Sequence, residues 1–231
     1  MTALRQGARL RAAADFVRQD AVFADIGTDH AYLPLFLLSE GRIRHAVCAD
    51  IAEGPLTAAR LHAAGTPHLG KMEFVLTDGL DGLFDRGLTD IAICGMGGEL
   101  IADILARAPL LRDGDVRLIL QPMTRQELLR RTLSETDFSI LREAYTVEAG
   151  RPYVTMCVQY TGLCRTLTHA EAVLGTPSAE GKDSAPYRAF LMQKERALSR
   201  AVDGLRTGGC PCEAECAMLE AVRAALAVQA E

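Results

Sequence analysis

"VFADIGTDHAYLP", residues 22 to 34, decides how the rest of the chain is read. An apolar run, an acid and one glycine open a nucleotide-binding turn, but Asp29 stands where a dinucleotide-binding turn carries its second glycine. The run predicts a buried strand ending at Asp25-Ile26-Gly27. Pro34 then suits the first turn of a following helix, where a missing amide proton costs nothing.

The same rhythm continues downstream. Apolar runs at 21–27, 45–51, 72–78, 90–95 and 116–122 alternate with helical patterns, which predicts an α/β fold whose parallel sheet is covered on both faces. Pro55 and Gly65 mark the start and stop of one helix, and Thr124 with Glu127 reads as a capping box opening "RQELLRRTLSE". Segments 138–149 and 153–162, flanking "GRP", read as two strands joined by a short turn. Parallel strands finished by a C-terminal antiparallel hairpin are the plan of the Rossmann-like class I methyltransferase sheet.

Residues 163–186, rich in Gly, Pro, Ser and Thr, read as a linker with at most a little helix of its own, after a domain at 1–162. Over 187–231, Leu191, Leu198 and Leu205 recur every seventh residue, and Leu219, Val222 and Leu226 share one face. A small C-terminal helical hairpin or coiled coil is expected there.

With 49% hydrophobic and 24% charged residues, the chain is expected to bury an ordinary core. No apolar run is long enough to span a bilayer and the first twenty residues lack a secretion signal, so the expected setting is cytoplasmic with no membrane partner. Seven cysteines, an odd number scattered partly among apolar segments, suit reduced thiols. A net charge of −5 gives no global attraction for nucleic acid. Residues 1–20 carry Arg5, Arg9, Arg11 and Arg18 against Asp15 and Asp20, a local +4 − 2 = +2 that reads either as an RNA contact or as a solvated amphipathic helix.

In an open α/β sheet, ligands bind outside the carboxyl ends of the strands. Here those ends read Asp25-Ile26-Gly27, Asp50, Asp78-Gly79 and Gly95-Met96-Gly97-Gly98. Asp50 lies 50 − 27 = 23 positions after Gly27, a spacing that places an acid on ribose hydroxyls. A pyrophosphate needs close backbone approach and repels carboxylates, whereas the sulfonium and ammonium groups of S-adenosylmethionine attract them. Asp78 suits the adenine amino group, with Gly79 leaving room for the ring. Each acid also has a structural reading: a local cap for Asp25, an N-cap for Asp50 and an Asx turn for Asp78.

"ADIGTDHAYLP", the "DGL" after the third strand, "CGMGGELI" and "LILQP" resemble the bacterial TrmK-type tRNA methyltransferases, which methylate N1 of adenine 22 in tRNA. The resemblance runs from about residue 4 to residue 162, with a looser match over the C-terminal helices. It departs at Met123, where the family often has a polar residue, and at "CPCEAEC". It implies S-adenosyl-L-methionine as cofactor, held by Asp25, Gly27, Asp29, Asp50, Asp78 and the turn Gly95, Met96 and Gly97. Thr28, His30, Ile51 and Gly79 belong to the same rim.

Adenine N1 carries an available lone pair, so alignment rather than proton removal is the enzyme's task. Asp29 is the candidate to face charge developing on the base, and Tyr32 the candidate to stack on it or donate to it. Tyr32 also reads as a core residue, and His30 as a helix cap. Gly98, Gln121 and Pro122 are expected at the base, and Arg5, Arg9, Arg130 and Arg131 on the RNA. A monomer or weak dimer is expected. Cys210, Cys212 and Cys216 lack a nearby histidine and a paired C-x₂-C spacing, so no metal is expected. The competing readings are a methyltransferase with a small-molecule or protein acceptor, a nicotinamide-binding oxidoreductase, and an interaction protein built on the C-terminal helices.

Overall fold

The computed structural model describes residues 7–112, 115–178 and 181–229. Seven strands form one sheet: β1 (Ala21–Ile26), β2 (Ile43–Asp50), β3 (Met72–Leu76), β4 (Asp90–Cys94), β5 (Arg117–Gln121), β6 (Phe138–Glu148) and β7 (Arg151–Tyr160). Their order is β3-β2-β1-β4-β5-β7-β6. Strands β1 to β5 are parallel, and β7 enters antiparallel between β5 and β6. The hairpin turn is Ala149-Gly150, with φ of 48° and 74°. Two positive φ values match the right-handed twist of the strands, so β7 begins at Arg151, earlier than the "GRP" turn implies.

Apolar side chains leave the parallel strands on both faces because crossover helices cover both. Ala24, Ile26, Ile91, Ile93, Leu118 and Leu120 join one core with α4 (Gly98–Ala106), α5 (Gln126–Glu135), α7 (Ala185–Thr207) and α8 (Glu213–Val228). Phe23, Ala46, Cys48, Ala92 and Ile119 face the other way, onto α1 (Ala8–Ala14), α2 (Tyr32–Ser39) and α3 (Glu53–Ala64). Adjacent residues of one strand thus serve opposite layers.

The C-terminal helices pack on the sheet, for Phe190, Leu191 and Val222 belong to the first core. Segment 163–186 is more than a linker. It holds α6 (His169–Leu174), capped by a reciprocal Thr168–Glu171 box, and buries Leu167, Ala172 and Val173.

The capping box expected at Thr124 and Glu127 is absent. The N-cap of α5 is Arg125, at φ 55° with no side-chain cap, and Glu127 instead accepts from Lys194 Nζ of α7 at 2.6 Å. An ion pair to a distant helix outcompetes the local bond.

Arg130 is the second correction. Its side chain is 1% exposed, and its Nε donates to Glu143 Oε1 at 2.7 Å while Nη1 donates to the Ala172 carbonyl at 2.9 Å. Tyr145 donates to Glu143 Oε2 at 2.7 Å, as does the Thr176 amide at the same distance. The network ties α5, β6 and the segment after α6, and it withdraws Arg130 from any contact with RNA. Removing one member leaves the other as an uncompensated buried charge. Urea unfolding of Arg130→Ala is expected to show a loss of about 3–5 kcal/mol, whereas an unchanged midpoint would mean that the pair is dispensable.

Candidate active site at the carboxyl ends of the strands

The chain leaves β1 for α2 on one face of the sheet and leaves β4 for α4 on the other. Between strands whose helices diverge lies a crevice, the place where open α/β sheets bind ligands. Here it is a cleft of about 310 Å³ lined by Arg9, Leu10, Asp25, Gly27, Asp29, His30, Ala31, Tyr32, Leu33, Cys94 and Gly95. The first strand end, its loop and the fourth strand end therefore converge as the sequence implied.

Gly27 has φ +75°, and a Cβ there would run into the Met96 methyl group. The Met96 side chain could swing aside, so the requirement for glycine comes from the left-handed backbone. After it, Ala31 sits at φ 53°, in the left-handed region, as the N-cap of α2. That conformation costs of order 1 kcal/mol for a residue with a side chain and lets the backbone turn sharply into α2 directly after Asp29 and His30.

Asp25 lies at the base of the cleft, buried, and accepts from Thr28 Oγ1 at 2.7 Å. Burial pushes its carboxyl up to about 6, against the opposing pull of the Thr28 hydrogen bond and the charge of Arg9. Cys94 beside it is pushed up to about 12, again by burial first and by Asp25 second. The thiol is inert there.

Asp29 and His30 stand at the mouth, with His30 Nε2 3.7 Å from Asp29 Oδ2. Tyr32 is 44% exposed, which removes its reading as a core tyrosine. Its ring meets His62 edge-on at 4.9 Å and tilts against His30 at 5.4 Å. His62 Nδ1 donates to the His30 carbonyl at 2.7 Å, so the aromatic group is anchored to α3. His30 caps no helix, since Ala31 occupies that position.

Asp50 and Asp78 stand outside the lining of this cleft, at the ends of the neighbouring strands. Asp50 Oδ1 accepts from the Ala52 amide at 2.9 Å, leaving its other oxygen for a ligand. Ile51 beside it is 69% exposed, an apolar surface that a flat ring would cover. Both Asp78 oxygens accept from Arg107 at 3.1 Å, and each retains a further lone pair. Gly79 has φ +61° and packs against Ile104.

Several expected substrate contacts lie elsewhere. Gln121 is fully buried; its Oε1 accepts from Arg9 Nη1 at 2.9 Å, and its Nε2 donates to the Arg9 carbonyl at 3.1 Å and to Thr155 Oγ1 at 2.7 Å. With both N–H groups used, it positions Arg9 and reads no base. Gly98 donates its amide to the Thr124 carbonyl at 2.9 Å, and a Cβ there would stand 2.6 Å from the Arg125 carbonyl, so its smallness serves loop packing. Pro122 is buried and its carbonyl accepts from Gln126 Nε2 at 3.1 Å. Arg131 is half-buried on α5, and Arg5 lies outside the described residues. Arg18 is taken up by Asp90 and Asp115, at 2.7 Å each, which leaves Arg11 exposed on α1.

Arg9 is the largest relocation. Its amide donates to Glu148 Oε2 at 3.1 Å and its guanidinium lies 5.8 Å from the Tyr153 ring centroid, so the hairpin holds α1 across the cleft with a cation turned inward. Leu10, Ala31, Leu33 and Cys94 were missed as lining residues. Cys94 directly precedes Gly95 and was legible as a strand end, whereas nothing local signals that Glu148 reaches α1. Among the described residues, no group of three or more His, Cys, Asp or Glu side chains is arranged to hold a metal ion.

Residues 6–156 match a family model described as a methyltransferase domain. The tRNA (adenine(22)-N(1))-methyltransferase of Bacillus subtilis is 32% identical over 160 residues, 69% of this chain and 67% of that protein. A Streptococcus agalactiae protein described as belonging to the NADB-Rossmann superfamily superposes with a TM-score of 0.84 at 27% identity, covering 97% of this chain and 99% of that one. A candidate tRNA (m1A22) methyltransferase of Streptococcus pneumoniae, in complex with S-adenosyl-L-methionine, gives 0.81 at 29% identity over 94% of this chain and 98% of that one.

Asp25 also sets a pH dependence. A carboxyl whose folded pKa of about 6 exceeds the ordinary 3.8 holds its proton more tightly in the folded chain. Its contribution is complete below about 3.8 and is lost as the pH rises through about 6. Asp25→Asn, still able to accept from Thr28, is therefore expected to stabilise the ligand-free chain at pH 7 by up to about 3 kcal/mol and to do little at pH 4. Chemical denaturation at the two pH values checks this; equal stabilities at pH 7 would show that Asp25 carries no burial strain.

Proposed function

This chain belongs to the methyltransferase-domain family and, within it, to the tRNA (adenine(22)-N1)-methyltransferases, and from that membership we infer that it methylates N1 of adenine 22 in tRNA with S-adenosylmethionine as donor. The observation that carries the reading at the level of this chain's own residues is the cleft itself. A buried acid lies at its base, another stands at its mouth, and the one glycine of the first loop, Gly27, takes φ +75°. A dinucleotide's phosphates would meet carboxylates there, while a cationic donor without phosphate meets opposite charge.

The residues present fit that donor. Asp25 would face its ammonium group, an interaction that lowers the raised carboxyl pKa and offsets the cost of burying its charge. Arg9, the guanidinium lining the cleft, would take the donor's carboxylate. Asp50 would accept from the ribose hydroxyls, and Asp78 from the adenine amino group while still holding Arg107. Ile51, Gly79, Gly95, Met96 and Gly97 would enclose the purine and the thioether chain, with Thr28 fixing Asp25. Bound there, S-adenosylmethionine supplies a methyl group on a positively charged sulfur.

Tyr32, exposed and braced by His30 and His62, offers its ring to an adenine taken out of its stack. N1 needs no general base because its lone pair is free at neutral pH. Asp29 lies where a carboxylate can face the positive charge that the base acquires, and His30 lines the same mouth. The RNA body is engaged outside the cleft. With Arg130 in the core, the exposed Arg11, Arg196 and Arg200, together with Arg131, are among the cations available, and two of these four lie on the hairpin at 187–231. No helix of the described residues is long and apolar enough to cross a membrane. We place the enzyme with its tRNA substrate in the cytoplasm, acting as a monomer or weak dimer.

Incubation with methyl-labelled donor and unmodified tRNA, followed by nucleoside analysis, is expected to place label in 1-methyladenosine at position 22. Asp29→Ala should lower kcat by about 10²-fold, and Arg9→Met should raise the KM for the donor by at least about tenfold, the worth of a charged hydrogen bond. Label in another nucleoside would overturn the acceptor, and an unchanged KM in Arg9→Met would remove Arg9 from the donor site.

A further inference from the structure

The methyl-transfer reading leaves one chemical cluster unused, the three thiols between α7 and α8. Arg206 to Pro211 are exposed, Cys210 among them, and Cys212 and Cys216 are half-buried at the start of α8. Cys212 Sγ and Cys216 Sγ lie 3.6 Å apart, and Arg206 Nη2 donates to Cys216 Sγ at 3.6 Å. Cys210 is turned away, with its thiol on the Gly208 carbonyl at 3.7 Å. The three thiols form no metal-binding group. Two sulfurs in contact, a guanidinium on them and solvent beside them are instead the setting of a reactive thiol with a resolving partner.

Cys212 is the N-cap of α8, at φ −140°, so its backbone lies outside the helix while Cys216 sits one turn inside. Positive charge from Arg206 and from the amide end of α8 favours a thiolate, and Glu213 and Glu215 in the same turn oppose it. The Cys216 thiol is held above its ordinary value, first by its hydrogen bond with Cys212, and Cys212, as the N-cap residue, is the nearer of the two to the amide end of α8.

We propose that Cys212 and Cys216 form a reversible dithiol–disulfide site, oxidised by hydrogen peroxide. The Cys212 thiolate attacks one peroxide oxygen, forming an S–O bond as the O–O bond breaks; the departing oxygen takes a proton and leaves as water, giving a sulfenic acid. Cys216 sulfur then attacks that sulfur, an S–S bond forms, and hydroxide leaves with the Cys216 proton as a second water. Two thiols and one peroxide become one disulfide and two waters, and a small dithiol reverses the change by exchange.

The test treats the purified full chain with hydrogen peroxide, alkylates the remaining thiols and maps the tryptic peptide 207–223, which contains all three cysteines. The expected result is a loss of two hydrogens from that peptide, restored by dithiothreitol. The loss is retained in Cys210→Ser and abolished in both Cys212→Ser and Cys216→Ser, with circular dichroism confirming that the variants are folded. Arg206→Ala should slow oxidation by about threefold, since losing the adjacent cation lowers the thiolate fraction by more than it raises the thiolate's nucleophilicity. A bridge that uses Cys210, a bridge between two chains, or oxidation of Cys164 ahead of this pair would overturn the assignment. An unchanged rate in Arg206→Ala would remove Arg206 from it.

Discussion

A carboxyl group taken out of water at the end of β1 organises the site. Asp25 is buried because β1 is an inner strand, next to β4, where the helices change sides, so its end faces a crevice rather than solvent. One hydroxyl, from Thr28, cannot replace a hydration shell, and burial pushes the carboxyl up to about 6 in consequence. Such a group is an unfinished ion pair. It favours a ligand that brings a positive charge and disfavours one that brings phosphate, and the single glycine of the loop selects in the same direction.

The rest of the molecule holds the surroundings of that group in place. The antiparallel hairpin does more than close the sheet: Glu148 and Tyr153 fasten α1 over the cleft, and Thr155, through Gln121, fixes the direction of Arg9. The hairpin is in turn tied to α5 and the segment after α6 by Arg130 and Glu143, and α7 to α5 by Lys194. A cation from the N-terminal helix and an acid from the first strand thus meet in one cleft although sixteen positions of chain separate Arg9 from Asp25.

What the sequence revealed and what it hid follow from the range of the forces involved. Strand ends were legible because apolar runs, acids and glycines lie next to one another in the chain, and Gly27 and Gly79 both take the positive φ that their positions require. The hairpin and the sheet plan were legible for the same reason, although the turn falls at Ala149-Gly150 rather than at "GRP". Residues whose partners lie far away were misread. Thr124 and Glu127 carry the local pattern of a capping box, but Lys194, 67 positions on, claims the carboxylate. Arg130 and Gln121 looked like surface contacts, since nothing nearby announces Glu143 as the countercharge of one or Arg9 and Thr155 as the partners of the other. Tyr32 was ambiguous until its exposure and the histidine beside it were known.

The most direct test of the cation-accepting cleft is calorimetric titration with S-adenosylmethionine at pH 6, in two buffers of different ionisation enthalpy. At that pH a carboxyl with a pKa of about 6 is half protonated in the free chain. If the donor's ammonium group draws it down to the ordinary carboxylate range, about half a proton leaves per molecule bound. Release on that scale, absent in Asp25→Asn, is the expected result; binding with no proton released, or with uptake, would contradict the account.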